Sequence, residues 1–137
     1  MTAVVLDAST VLAWLLPSQA TASADRLLAQ ADDYDFMAPD VFVWEVANVL
    51  VAKARGHSIV VRDALDQLDG IEIAFDQPLT DSEVRQLVDV ATTAGLTLFD
   101  AAYLALAIER HAVLASRDKP LLAAATAVGV DVFDLRG

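Results

Sequence analysis

Cysteine is absent from this chain, which excludes disulfides, thiolate zinc sites and cysteine nucleophiles. Histidine occurs only at His57 and His111, too seldom for a His-rich metal centre. Any bound metal therefore has to be a hard ion held by oxygen. Basic residues are also scarce: nine Lys and Arg stand against 20 Asp and Glu, a formal net charge of −11. That balance counts against broad, non-specific binding to nucleic acid, which depends on phosphate contacts to Lys and Arg. It leaves room for a local site in which bound cations offset the acids. No apolar run approaches the roughly 20 residues of a membrane span. The apolar stretch Ala8–Leu16 has no Lys or Arg ahead of it, and Asp7 sits where a basic region belongs, so it does not read as a signal peptide. The expectation is a cytoplasmic protein with no membrane association.

What the chain does have is apolar content. Of its 137 residues 56% are hydrophobic, and the mean hydropathy is +0.48. This composition excludes disorder and predicts a single domain spanning residues 1–137, with some apolar surface left for a subunit interface. Short apolar strands alternate with helical stretches. Strands are expected at Ala3–Leu6, Phe36–Met37, Ile71–Phe75, Ala112–Ala115 and Val130–Phe133. Helices are expected at Thr10–Leu16, Ala20–Ala31, Val41–Arg55 with Gly56 just past its end, and from a Ser58 cap to Leu68. Further helices are expected from a Thr80/Glu83 capping box to Ala94, at Leu98–Arg110, and at Lys119–Val128. The pattern predicts an α/β fold: a mainly parallel, twisted sheet of four to five strands, flanked by helices on both faces. Ligands of such sheets bind beyond the carboxyl ends of the strands, the edge where Asp7 and Asp118 fall.

The chemistry-bearing signal is acid placed inside apolar segments. Asp7 is the one polar side chain of Ala3–Ala8 (AVVLDA). Glu45 and Asn48 are the strongly polar side chains of Val41–Ala52, and their spacing of three puts them on one helix face. Asp100 is the one charge in Leu98–Ile108, with Tyr103 on its face. These segments contain no Lys or Arg. A desolvated carboxylate is costly unless paired or metal-bound, and several around one point repel unless a cation lies among them. Each acid also has a local reading: Asp7 and Asp118 as helix caps, Asp100 as a helix-start residue, Glu45 as part of a solvated stripe in mid-helix. Ser9, Thr10 and Thr97 read as caps, with Ser9 or Thr10 able to steady Asp7. Arg117 and Lys119 flank Asp118 and are weak candidates for a phosphate contact. Trp14 and Trp44 are expected in the core or an interface rather than as platforms for nucleobases.

Four segments, VVLDAST, WEVANVL, LTLFDAAYLALA and LASRDKPLLAAA, also carry a family resemblance in order and spacing, from Val4 to about Ala125. The chain resembles PIN-domain proteins, and among them toxins of the VapC type. The resemblance implies a PIN-like three-layer fold and a Mg²⁺ or Mn²⁺ site held by Asp7, Glu45, Asp100 and Asp118, with Ser9 and Asn48 in support. It implies cleavage of single-stranded regions of RNA, transfer RNA included, a homodimer, and a cognate antitoxin that blocks the site. At Thr97 many relatives carry a further polar or acidic residue. Neutralising the four acids in metal-free buffer is expected to raise thermal stability. The competing readings are a receiver-type phosphoacceptor domain, a phosphatase with an aspartate nucleophile, and a non-catalytic PIN-like module that binds protein.

Overall fold

The computed structural model describes residues 1–55 and 57–137. The chain starts with β1 (Thr2–Leu6), whose Val4, Val5 and Leu6 are fully buried. A strand with both faces covered has no polar alternation to show. Asp7 caps α1 (Ala8–Leu15), and Pro17 opens a 3₁₀ turn beyond it. Then come α2 (Ala22–Ala29), β2 (Tyr34–Ala38), α3 (Phe42–Ala54), α4 (Ser58–Asp69) and β3 (Ala74–Phe75). The remaining elements are α5 (Asp81–Ala94), α6 (Leu98–Arg110), β4 (Val113–Ser116), α7 (Lys119–Ala127) and β5 (Val132–Asp134).

The five strands pair in parallel throughout, in the order β3-β2-β1-β4-β5. The order reverses at β1: the chain first builds outward through β2 and β3, then crosses back to β4. Helices α1 to α4 pack among themselves, and α5 to α7 among themselves. Right-handed crossovers in the two directions put the first group on one face and the second on the other, which makes three layers. The crevice beyond the strand ends at such a reversal is where these sheets bind ligands. Asp7 leaves the end of β1 there, and Arg117 and Asp118 leave the end of β4.

Several boundaries differ from those expected. The Thr21 hydroxyl accepts from the Ala24 N–H and delays α2 until Ala22. The expected strand Ile71–Phe75 pairs with β2 only through Ala74 and Phe75. Helix α3 ends at Ala54 with Arg55 in the left-handed region (φ 46°), and Gly56, expected to end it, lies outside the described residues. The Thr80/Glu83 capping box forms as expected, and Gly95 (φ 69°) ends α5 in a conformation that costs a residue with a Cβ. No single helix among the described residues is long and apolar enough to cross a membrane.

Candidate functional site

Among the described residues the buried polar side chains other than Tyr103 are Asp7, Thr10 and Ser116, and they form one cluster. Asp7 Oδ1 accepts from the Thr10 N–H (3.0 Å), the Thr10 hydroxyl (3.0 Å) and the Ser9 hydroxyl (2.7 Å). Asp7 Oδ2 accepts from the Ser116 hydroxyl. The two serines have fixed orientations because each also accepts a backbone N–H: Ser9 Oγ that of Arg117 (2.9 Å), Ser116 Oγ that of Asp118 (2.9 Å). Their protons are thereby left to point at Asp7. The turn after β4 is thus tied through two hydroxyls to the carboxylate after β1. Burial pushes the Asp7 carboxyl above its ordinary pKa, while these donors pull it down.

Glu45 sits in the first turn of α3 rather than in mid-helix, because the helix starts at Phe42. It makes no cap there. Its Oε1 accepts from the hydroxyl of Tyr103 (2.8 Å), a fully buried side chain of α6. Burial raises the Glu45 carboxyl, and the charges of Asp7 and Asp118 raise it further. Asp100 lies in the first turn of α6, but Thr97 provides the cap, accepting from the Asp100 N–H (3.1 Å). Burial, then Asp118, Glu45 and Asp7 in turn, push the Asp100 carboxyl up to about 6. Asp118 does cap α7, through Oδ2 and the Leu121 N–H (3.0 Å). Capping and membership of the site are therefore compatible for both Asp7 and Asp118.

All four acids line one cleft of 480 Å³, together with Ser9, Asn48, Gln19, Trp44, Phe99 and Arg117. Arg117 is held in place, donating from Nε to the Ser9 carbonyl (2.7 Å) and from Nη2 to Gln19 Oε1 (2.6 Å). Lys119 is exposed and outside the described lining, so the cleft lacks the lysine a receiver-type site needs. Among the described residues no three His, Asp or Glu side chains stand close enough together to enclose an ion on their own. The donor set nevertheless fits a hard divalent cation. Every donor is oxygen, burial raises the pKa of Asp7, Glu45 and Asp100, with neighbouring carboxylates adding to it at Glu45 and Asp100, and Mg²⁺ keeps several waters, so it needs few direct protein ligands.

Sequence alone gives Tyr103 and Ser116 no role in the site. Tyr103 was visible as a polar tip in an apolar helix, but its partner lies 58 residues away. Ser116 carried one signal, a hydroxyl closing an apolar strand. Trp14 conforms to expectation: it packs on Phe36 (5.7 Å between centroids) and its ring N–H donates to the Ala24 carbonyl (2.7 Å). Trp44, 81% exposed, lies outside the core, and of the two expected settings an interface is the one that this exposure fits.

Comparison with known proteins identifies the family and the fold. The sequence pattern of the PIN domain matches residues 4–126. Ribonuclease VapC3 of Pyrobaculum aerophilum is 31% identical over 120 residues, covering 85% of this chain and 90% of the relative. The fold is that of VapC20 of Mycobacterium tuberculosis, a toxin that cleaves the sarcin–ricin loop (TM-score 0.68, 18% identity, 93% of this chain and 95% of that one). It is shared with a chain of VapBC2 from Rickettsia felis, solved on a DNA fragment from its promoter (TM-score 0.65, 14% identity, 97% and 98%). With the family pattern running through nine-tenths of its length and the acids gathered at the sheet's reversal point, the chain belongs to the PIN-domain family.

Proposed function

We propose that this chain is a divalent-metal-dependent endoribonuclease toxin of the VapC type, which cuts single-stranded regions of RNA and is silenced by a cognate antitoxin. The observation that carries the reading is the gathering of Asp7, Glu45, Asp100 and Asp118 in one cleft where Arg117 is the single basic side chain among the described residues. The likeness to Ribonuclease VapC3 supports the substrate class. The neighbour solved as VapBC2 supports a toxin–antitoxin setting, and the proposal includes a cytoplasmic, homodimeric protein. Transfer RNA and structured RNA loops are the substrates to test first.

In this reading Asp7, Asp100 and Asp118 would hold Mg²⁺ or Mn²⁺. When bound, the ion neutralises charge developing on the phosphate and acidifies the attacking water. Asp7 is the fixed point of the site, locked by hydroxyls from three directions. Tyr103 holds one oxygen of Glu45, which leaves the other to orient the attacking water and take its proton. The water oxygen bonds to phosphorus as the bond to the 3′ oxygen breaks, and that oxygen takes a proton from solvent, leaving a 5′-phosphate and a 3′-hydroxyl. Single strands provide the flexibility this in-line geometry needs.

The test is incubation of the purified protein with a mixed RNA pool, with Mg²⁺, with Mn²⁺, and with chelator. Cleavage is expected with either ion and none with chelator, and the Asp100→Asn variant controls for contaminating nucleases. RNA left intact in both ions overturns the reading. Tyr103→Phe is expected to reduce cleavage by about tenfold or more, as loss of an outer partner does at a metal site. Wild-type rates in Tyr103→Phe remove Tyr103 from the mechanism.

A further inference from the structure

A cleft lined by four carboxylates is a poor place for a polyanion to gain affinity from charge. Arg117 is the one basic side chain lining it among the described residues, and two of its nitrogens already serve Ser9 and Gln19. Phosphate contacts to Lys and Arg, the usual source of nucleic-acid affinity, are therefore nearly unavailable here. The lining is instead aromatic. Trp44, next to Glu45, and Phe99, next to Asp100, both border the cleft and are 81% and 44% exposed. Asn48, whose amide can both donate to and accept from a base edge, lines the same space. Rings of this size normally bury themselves, as Trp14 does.

Resting on the ribonuclease reading, we infer that Trp44 and Phe99 are base-stacking platforms for the nucleotides flanking the scissile phosphodiester. They contribute the affinity that the charge of the chain withholds. Stacking suits unpaired bases and tolerates any sequence, because every base has a π-face. An apolar contact with a second protein is the competing use of Trp44, since Val43, Ala47 and Val51 of α3 adjoin it in a neighbouring hollow. Phe99 does not border that hollow, whereas both rings border the acids. The shared space favours the nucleobase.

The experiment uses a short single-stranded RNA of mixed sequence and an abasic oligomer of the same length, both with Mn²⁺. Trp44→Leu and Phe99→Leu are each expected to raise KM for the RNA by about fivefold or more, with KM carrying most of the loss. Trp44→Phe, which keeps a ring, recovers most of it. The chain has two tryptophans, and Trp14 is tucked away, so fluorescence quenched by the RNA but not by the abasic oligomer reports Trp44. With Arg117 and Lys119 the cations beside the site, log affinity falls against log salt with a slope no steeper than about −1.4. Wild-type protein that cuts RNA while both leucine variants keep their KM overturns the inference. So does equal quenching by the abasic oligomer, or a drop in sedimenting mass in Trp44→Leu, which assigns the ring to a subunit contact. Base-dependent quenching by a wild type that leaves RNA intact removes the nuclease reading and retains the platforms. Absence of both cleavage and quenching removes both.

Discussion

Asp100→Asn is expected to cut RNA cleavage by at least about a hundredfold and, in chelator, to raise the thermal midpoint. The two effects share one cause. Asp100 stands half-buried against Asp118, Glu45 and Asp7, and its carboxyl titrates at about 6 instead of 3.8. Between those values this carboxyl binds its proton more tightly in the native protein than in the unfolded chain. The contribution of Asp100 to metal-free stability therefore falls as pH rises from about 4 through about 6. The amide removes a charge that helps hold a divalent ion and, when no ion is present, repels its neighbours. The check is a series of thermal melts from acid to neutral pH in chelator, beside a cleavage assay in Mn²⁺. Wild type should lose stability across that window more steeply than the variant. A lower midpoint for Asp100→Asn, or an unchanged pH slope, shows that the carboxylate has a structural task instead.

Asp7→Ala should have the opposite sign in stability. Mutual repulsion alone would make every one of the four acids a liability without metal, as its sequence context suggests. Asp7 is different because its oxygens accept from Ser9, Thr10 and Ser116 and cap α1. Truncation removes an N-cap contributing about 1 kcal/mol and leaves buried donors with a desolvation cost of about 1–3 kcal/mol. Relief from burying an ionised carboxylate offsets part of this. The expected net loss is about 2 kcal/mol, a fall in the melting midpoint of roughly 6–10 °C together with complete loss of cleavage. Asp7→Asn should lose less stability, since its carbonyl can still accept from Thr10. A midpoint for Asp7→Ala equal to that of Asp100→Asn means the hydroxyls around Asp7 contribute nothing net.

The fold was legible in sequence wherever local patterning decides it. The apolar runs of β1 and β4, the Thr80/Glu83 box, and the Leu98–Arg110 helix under a Thr97 cap stand where they were expected. The acids were legible because a carboxylate amid Val, Leu and Ala is conspicuous whatever it faces. What the sequence did not disclose is pairing across the chain. The Tyr103–Glu45 bond joins α6 to α3, and the Ser116–Asp7 bond joins β4 to β1. Helical periodicity gives the face a side chain occupies and is silent on which distant element meets it. The choice between core and interface for Trp44 was open for a related reason. Composition favours burying a tryptophan, and only the packing of α3 shows that this face has no neighbour among the described residues.

The sheet ends on one side with two residues of β3 and on the other with three of β5. A border so brief presents few free N–H and C=O groups, which blunts it as a template for another chain's strand. Copies of this protein, crowded together, have little ladder by which to polymerise. The same brevity constrains any protein that captures this chain. Strand addition has almost nothing to grip at either margin, so recognition has to run through grooves between helices and through side chains rather than through main-chain amides.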